Sequence, residues 1–277
     1  MEKWIEDKNR RIEIFEDTES WYNTDPALQD AIKRSIDGTK FYPMGELPEP
    51  RTYNKPAKIA VTQDRSLQAA LNYLGTNTED ARVCVHNFAS ATHPGGGVRN
   101  GSTAQEEALC RCTTLLPCLT TYDLSRKYYD FHRKLKDPFY TDALIYTPGI
   151  LAVKTDTKFP ERLPKEQWRS VDVITCAAPN LRAVNGVAPK TDPQELMEIH
   201  IRRAKKIIAA ASHNGADALV TGAFGCGAFK NPPEIVAKAW KAALTEERNC
   251  LKEIIFAIYC TPRDEANYWA FKGVLAR

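Results

Sequence analysis

The sequence feature that most constrains the fold is a run of three glycines, at residues 95–97, between an apolar segment and a helical pattern. The apolar segment, Val83–Phe88, is typical of a buried strand. Gln105, Glu106 and Glu107 open the helical pattern. Because glycine tolerates positive φ and lets other groups approach the backbone, the sequence predicts a strand, a flexible loop and a helix with two carboxylates in its first turn.

The two adjacent acids have two interpretations. Acidic side chains are common in the first turn of a helix because the N-terminus is electropositive. Ser102 and Thr103 each have Gln or Glu three residues later, which is capping-box spacing, so we expect one of them to cap the helix. A helix start does not require three glycines. We therefore favour a loop that surrounds a ligand and presents Glu106 or Glu107 to it.

A second glycine-rich loop, GAFGCGAF at residues 222–229, follows the apolar run Ala218–Thr221 and precedes a helix near Pro233. Backbone amides in such a turn, together with a helix N-terminus, are suited to bind an anion. The glycine order differs from the dinucleotide fingerprint, and no GK[ST] follows, so neither a Rossmann loop nor a P-loop is predicted. Cys226 has no His or Asp nearby to act as a base, so we do not assign it as a nucleophile.

Composition and charge exclude several classes of protein. The net charge is +3 over 277 residues, which is too small to indicate nucleic-acid binding. No run approaches the roughly 18 apolar residues of a membrane helix. The charged first residues lack the apolar core of a signal peptide. We expect a cytoplasmic, monomeric protein that contacts no membrane and no specific nucleic-acid sequence.

The cysteines and histidines do not form a metal-binding pattern. Eight cysteines are scattered among apolar residues, and we expect them to be reduced thiols. Cys110 and Cys112 would point to nearly opposite faces of a helix, and no CxxC or HxxxH spacing accompanies them. His86 and His93 flank the first glycine loop, where a structural hydrogen bond is the simpler interpretation. We therefore expect no metal and no cofactor.

Strand-like and helix-like segments alternate along the chain, which predicts an α/β fold with a largely parallel sheet buried on both faces. The predicted strands are 58–62, 82–88, 143–146 with a continuation at 151–154, 171–178, 218–221 and 254–259. The predicted helices are 2–20, 26–36, 66–74, 193–213, 233–244 and 264–275, in addition to the one after Gln105. Ser66 is the expected cap of its helix, residues 41–56 are expected to be a connector, and the basic face of 193–213 (Arg202, Arg203, Lys205, Lys206) is expected to be solvated.

The glycine triplet, separated by seven residues from QEE and preceded by HNFAS, resembles the signature of microbial-type poly(ADP-ribose) glycohydrolases. The segment GAFGCGAF, continuing into FKNPP, is similar to a loop of the same family. The resemblance implies a three-layer α/β/α macrodomain-like fold with a mixed sheet. It further implies a helical extension at residues 1–55 and a catalytic domain at residues 56–277.

The resemblance also implies roles for residues of the two loops. Glu107 would be the general acid and base, Glu106 would hold a ribose hydroxyl, and Gln105 would fix the loop. Both loops would clamp a diphosphate, and Phe224 or Phe229 would line the ribose or adenine, with core packing as the alternative. The substrate-binding residues implied in this way are Asn87, Gly95, Gly96, Gly97, Gln105, Gly222, Ala223, Phe224, Gly225, Cys226, Gly227, Ala228 and Phe229.

The implied activity is hydrolysis of the O-glycosidic ribose–ribose bonds of poly(ADP-ribose), with release of ADP-ribose. Two alternatives stay open from the sequence. One is a module that binds ADP-ribose without cleaving it, and the other is a hydrolase that removes ADP-ribose from a different acceptor on a protein or nucleic acid. The implied partners are ADP-ribose, its polymer and ADP-ribosylated macromolecules. The pair Glu106–Glu107 favours an enzyme, because a binding module needs no acid at that position.

Overall fold

The structure, a computed structural model, describes residues 2–183 and 186–275. Within this part of the chain seven strands form one mixed sheet in the order β1-β4-β5-β3-β6-β7-β2. Strands β5, β3, β6, β7 and β2 are parallel, and β4 and β1 continue the sheet in antiparallel orientation. The strands are β1 (Lys40–Tyr42), β2 (Lys58–Thr62), β3 (Val83–Phe88), β4 (Leu144–Ala152), β5 (Arg169–Cys176), β6 (Ala218–Thr221) and β7 (Glu253–Ala257).

Helices cover both faces of the sheet. They are α1 (Glu2–Thr24), α2 (Pro26–Asp37), α3 (Ser66–Thr76), α4 (Gln105–Cys112), α5 (Leu115–Leu119), α6 (Tyr122–Leu124), α7 (Phe131–Leu135), α8 (Pro193–His213), α9 (Pro233–Glu246) and α10 (Ala266–Leu275). A π-helical turn, Ser125–Asp130, joins α6 to α7. In the described part of the chain, each helix is too short or too polar to span a lipid bilayer.

The core lies in two apolar layers, one on each side of the sheet. Val83 and Val85 of β3 face a layer built by α1, α3, α4 and α5. Cys84, between them in the strand, faces the opposite layer, which α8, α9 and α10 build around Trp240. This alternation follows from the two-residue period of a strand. The predicted three-layer α/β/α fold with a mixed sheet is therefore confirmed.

The parallel strands bring the two glycine loops together. Cys84 of β3 pairs with Leu219 of β6, so the carboxyl ends of these strands are neighbours at one edge of the sheet. The first glycine loop follows β3 and the second follows β6. In open α/β sheets a ligand site typically forms at this edge, outside the carboxyl ends of the strands.

Most of the predicted elements are present, with two differences near the N-terminus. The expected connector begins within the short strand β1, which pairs antiparallel with β4, so the sheet extends into the N-terminal segment. Helix α1 packs through Phe15, Thr18 and Tyr22 rather than through all its apolar residues. Trp4 is 64% exposed, because it lies on the first turns of α1, beyond the packed surface.

The predicted solvated face of α8 is wrong for two of its four residues. Arg203 and Lys206 are buried, whereas Arg202 is exposed. The guanidinium of Arg203 donates to the carbonyl of Phe139, and the ammonium of Lys206 donates to the carbonyl of Pro43 at 2.5 Å. Segments distant in sequence cover this face and supply backbone acceptors, which local periodicity cannot indicate.

Candidate active site

A cleft of about 310 Å³ lies at the carboxyl edge of the sheet, between the two glycine loops. Gly96, Glu106 and Glu107 form part of one wall. Residues of the second loop, including Gly225 and Phe229, form part of another. The two loops that the sequence singled out thus meet at one site.

Glu106 is buried and held by nitrogen donors. Its Oε2 accepts a hydrogen bond from the amide of Ser90 at 2.7 Å, and its Oε1 accepts from the amide of Gly95 at 3.2 Å. The Asn87 amide nitrogen approaches Oε1 at 3.5 Å. Burial, and to a lesser extent the neighbouring Glu107, raise the pKa of Glu106 to about 8, while the donors oppose the shift.

Glu107 is held at one oxygen only. Its Oε1 accepts a hydrogen bond from the amide of Gly97 at 2.8 Å. Its Oε2 has no hydrogen-bond partner within the described residues, although it is buried. Since a buried polar atom normally has a partner, Oε2 of Glu107 is available to bond a ligand.

The glycine triplet is required by the carboxylates. Gly95 and Gly96 have φ of 71° and 57°, in the left-handed region that favours glycine. The three loop amides have internal acceptors, because Gly95 and Gly97 donate to the two glutamates and Gly96 donates to the carbonyl of His93 at 2.9 Å. In this structure the three amides hold the acids and the loop itself, and a role for them in clamping a diphosphate stays a prediction.

The start of α4 departs from the predicted capping box. Ala104 is the N-cap, and neither Ser102 nor Thr103 makes a capping hydrogen bond to the helix. Gln105 instead ties the helix to the sheet. Its side-chain oxygen accepts from the amide of Phe88 at 2.8 Å, and its nitrogen donates to the carbonyl of His86 at 2.8 Å. The structure thus gives Gln105 a position in which it fixes the loop, as the resemblance implies.

The second glycine loop offers unpaired amides to the cleft. Within the described residues, the amides of Gly225, Gly227, Ala228 and Phe229 donate to no protein acceptor, and all four residues line the cleft. Gly225 has φ of 78°, and a β-carbon there would lie 2.5 Å from that of Ala178. This loop, rather than the glycine triplet, has the free donors that a diphosphate requires.

Asn231 holds the second loop in place. Its side-chain nitrogen donates to the carbonyl of Pro179 at 2.7 Å and to that of Gly225 at 3.1 Å. Its Oδ1 lies 2.9 Å from Nε2 of His200. The side chain is 2% exposed, so the loop is anchored from below to the end of β5 and to α8.

The structure divides the residues of the sequence prediction into two groups. Those that line the cleft are Gly96, Gln105, Glu106, Glu107, Ala223, Phe224, Gly225, Gly227, Ala228 and Phe229. The residues that do not line it are Asn87, Gly95, Gly97, Gly222 and Cys226. The first three of these support the carboxylates, and Gly222 packs against the carbonyl of Ala257, where a β-carbon would approach to 2.5 Å.

Sequence reasoning missed cleft residues that come from other loops. Arg65 follows β2 and lies over the ring of Tyr259, which follows β7, at 4.1 Å. Asp156 follows β4, and its Oδ2 accepts from the amides of Leu67 and Gln68 at 3.1 and 3.2 Å, thus capping α3 where the sequence predicted Ser66. No local motif marks these residues, and only the topology brings them to the cleft.

Helix α1 supports the back of the first glycine loop. Nε of Arg11 donates to the carbonyl of Gly101 at 2.7 Å, and the hydroxyl of Thr18 donates to the carbonyl of Arg111 at 2.8 Å. Gly101 is itself in the left-handed region, and a β-carbon there would lie 2.6 Å from the carbonyl oxygen of Lys8. The N-terminal helix is therefore part of the structure that positions α4.

Other candidate catalytic groups are unsuited to the role. Burial lowers the pKa of His86 to about 3, and its Nδ1 lies 3.1 Å from the Thr221 hydroxyl, so it is a neutral core residue. Burial raises the pKa of the Cys226 thiol to about 12, so it is not a thiolate at neutral pH. Among residues 2–183 and 186–275, no group of three or more His, Cys, Asp or Glu side chains is arranged to hold a metal ion.

A three-layer mixed sheet with one loop presenting two acids and a second presenting free amides defines a macrodomain-like hydrolase site. The family described as microbial-type PARG, catalytic domain, matches residues 12–155, and the chain belongs to this family. PARG denotes poly(ADP-ribose) glycohydrolase. No curated protein matches the chain at a significant level.

Solved structures of this family are similar over almost the whole chain. The poly(ADP-ribose) glycohydrolase from Thermomonospora curvata is 31% identical, with 96% of this chain and 99% of that chain covered and a TM-score of 0.81. The same enzyme bound to the inhibitor ADP-HPD superposes with a TM-score of 0.80. The Deinococcus radiodurans enzyme in complex with ADP-ribose is 28% identical, with 88% and 96% covered and a TM-score of 0.74.

Proposed function

We infer that this protein is a poly(ADP-ribose) glycohydrolase that binds ADP-ribose units in the cleft and hydrolyses the ribose–ribose bond of the polymer. The observation that carries the inference is the buried Oε2 of Glu107, which has no partner in the described structure and belongs to a residue of the cleft wall. Family membership and the complexes of similar enzymes with ADP-ribose and ADP-HPD support it.

The proposed chemistry requires one acid and one water molecule. Cleavage of a glycosidic bond passes through an oxocarbenium-like transition state, in which the leaving oxygen gains a proton. Glu107, in its acid form, donates this proton and then, as a carboxylate, accepts one from the attacking water. The amide of Gly97 holds Oε1 and leaves Oε2 for the proton transfer.

Glu106 is proposed to position the substrate. With a pKa raised to about 8, its carboxyl is largely protonated at neutral pH and can donate a hydrogen bond to a ribose hydroxyl. Its two oxygens are fixed by the amides of Ser90 and Gly95, so that the hydroxyl is held in one place. The free amides of the second loop are proposed to bind the diphosphate.

A binding module without activity is the second candidate, and the site argues against it. Burying two adjacent carboxyl groups is costly, and a module that only binds ADP-ribose gains nothing from that cost. A hydrolase that removes ADP-ribose from another acceptor would use the same acid, so the site does not distinguish the two substrates. We propose the polymer as the substrate because the similar enzymes are poly(ADP-ribose) glycohydrolases.

The test is incubation of the purified protein with poly(ADP-ribose), followed by identification of the product. We expect release of ADP-ribose by the wild-type protein, and a loss of about 10²- to 10⁴-fold in turnover for Glu107→Gln, with nearly unchanged affinity for ADP-ribose. Release of ADP-ribose from mono-ADP-ribosylated protein alone, with the polymer left intact, would favour the other acceptor. Binding without any cleavage would favour the binding module.

Further features follow as proposals from this function. We propose that residues 1–55 act as an extension of the catalytic domain at residues 56–277, since α1 contacts the catalytic loop and β1 joins the sheet. We propose a monomer in the cytoplasm that requires neither metal nor cofactor and contacts neither membranes nor specific nucleic-acid sequences. The eight unpaired cysteines agree with a reducing compartment.

A further inference from the structure

We propose that residues 122–136, called the rim segment here, bind the part of poly(ADP-ribose) that continues beyond the scissile bond. The proposal rests on the proposed function and adds a second contact region outside the cleft. The rim segment comprises α6, the π-helical turn and α7, and it carries both exposed aromatic rings and an excess of positive charge.

The charge of the rim segment complements the polymer. It contains five Lys or Arg residues and two Asp residues, so its net charge is +3, which equals the net charge of the whole chain. Lys127 and Arg133 are paired with Asp123 and Asp130. The other three cations are Arg126, Lys134 and Lys136, and within the described residues none of them forms an ion pair. Each unit of the polymer carries two negatively charged phosphates, so this positively charged surface attracts the polymer.

Exposed rings accompany these cations. Tyr122 is 76% exposed and Phe131 is 43% exposed, and the guanidinium of Arg126 lies 5.6 Å from the ring centroid of Tyr122. Aromatic side chains on a basic surface bind single-stranded nucleic acids by stacking on the bases, and poly(ADP-ribose) offers one adenine per unit. The rim segment therefore matches both the charge and the rings of the polymer.

The inner face of the same segment belongs to the apolar layer that contains Leu109 and Cys110 of α4. Tyr128 and Tyr129 are buried, and burial raises the pKa of both hydroxyls well above the ordinary value, with a further contribution from Glu106. The π-helical turn from Ser125 to Asp130 separates this buried face from the exposed one. Such turns occur frequently at functional sites.

The rim segment adjoins the end of the cleft that holds the glutamates. Arg133 donates to the carbonyl of Thr92, three residues before the first glycine of the triplet. The segment that follows it is joined to the end of β5 by the bond from the Asn180 amide to the Pro138 carbonyl at 2.7 Å. The ring of Tyr140 lies 6.3 Å from that of Phe229 in the second loop.

The strand order supports this location for the remaining chain. Arg65 and Tyr259 lie at the end of the cleft over β2 and β7, and the glutamates lie near β3. Strand β5 is the neighbour of β3 on the far side from β6. An ADP-ribose unit whose terminal ribose reaches Glu107 along this cleft directs the remaining chain past β3, which is where the rim segment lies.

The experiment compares binding of length-defined poly(ADP-ribose) and of free ADP-ribose. Both are titrated into Glu107→Gln protein, with and without the added pair Lys134→Glu and Lys136→Glu. The matched control is the pair Lys33→Glu and Lys238→Glu, which reverses two exposed charges on α2 and α9. These positions are exposed, and the melting temperature of each variant verifies that it folds.

We expect the rim variant to bind ADP-ribose like its parent but to bind the polymer more weakly. For single strands, the logarithm of the affinity falls with that of the salt concentration by about 0.7 per phosphate contact, so the loss of two contacts lowers this slope by about 1.4. Between about 50 and 200 mM salt, the fall in polymer affinity should therefore shrink by about sevenfold. Phe131→Ala should weaken polymer binding by about tenfold without changing the slope.

Two results would overturn the rim proposal while leaving the proposed function intact. In one, the wild-type protein cleaves the polymer, but the rim and control variants bind the polymer with the same affinity and the same salt dependence. The other is an equal loss of affinity for ADP-ribose and polymer in the rim variant. Absence of both cleavage and ADP-ribose binding in the wild-type protein would instead refute the proposed function, so the two failures are distinguishable.

Discussion

A β-carbon on Gly96 would lie 2.4 Å from Oε1 of Glu107, so the close approach of this loop to the acid depends on the absence of a side chain. The same oxygen accepts a hydrogen bond from the amide of Gly97 at 2.8 Å. Gly96 also has φ of 57°. The glycine and the acid are thus two parts of a single local structure.

We expect Gly96→Ala to reduce the turnover of poly(ADP-ribose) by at least about 10²-fold, because a displacement of about 1 Å at a catalytic group costs that much. The matched control is Gly75→Ala in α3, where a β-carbon would have no atom within 4 Å. Initial rates at saturating polymer measure both. A Gly96→Ala protein with wild-type turnover would show that Glu107 does not depend on this loop for its position.

The second prediction concerns the pH dependence of stability. The pKa of Glu106 is about 8 in the folded protein against an ordinary value of 4.5. The folded state therefore retains a proton that the unfolded state has lost between these pH values. The free energy of unfolding should fall as pH rises through this window, by roughly 1.4 kcal/mol per pH unit from this group.

Glu106→Gln removes the titrating group, so the variant lacks this loss of stability. From pH 5 to pH 8 the free energy of unfolding of the variant should therefore rise relative to that of the wild-type protein. Urea denaturation at several pH values measures it. The exposed Glu79→Gln is the matched control, since it changes the same chemical group on the surface. Parallel stability curves for wild type and Glu106→Gln would contradict the raised pKa.

The third prediction concerns Asn231, which we regard as a positioning residue. In the wild-type protein the carbonyls of Pro179 and Gly225 accept hydrogen bonds from the side-chain amide of Asn231. Asn231→Asp replaces this donor with a carboxylate oxygen, which faces both carbonyls. We expect the free energy of unfolding to fall by about 1–3 kcal/mol, the cost of unsatisfied buried polar groups. The second loop should lose its shape as well, so affinity for ADP-ribose should fall by about tenfold.

A purely structural role would lower stability without a specific effect on ligand binding. Calorimetric titration with ADP-ribose, well below the melting temperature of each protein, distinguishes the two. Asn72→Asp on the exposed face of α3 is the matched control. We further expect KM for the polymer to rise more than kcat falls, because Asn231 supports the loop proposed to bind the diphosphate and not the acids. Unchanged ADP-ribose affinity would exclude the positioning role.

The sequence by itself determined most of the elements and their order. Apolar runs of strand length and helical periodicity predict most of the sheet and helices, since these patterns record which side chains must leave water. The glycine triplet and the QEE sequence located the acids, because a loop that approaches a carboxylate closely requires glycine. These are local properties, and each can be identified from one short segment of the sequence.

Only the tertiary structure decided which atoms the loops present to the cleft. Whether the glycine amides bind a ligand or the glutamates depends on the distances between residues 95–97 and α4. In the structure the amides of Gly95 and Gly97 donate to the glutamates. Asp156 caps α3 from a different loop, and Asn231 anchors the second loop to β5. The pKa of Glu106 likewise depends on burial by segments distant in sequence. Such contacts are set by the packing of the whole chain, and no local pattern of residues records them.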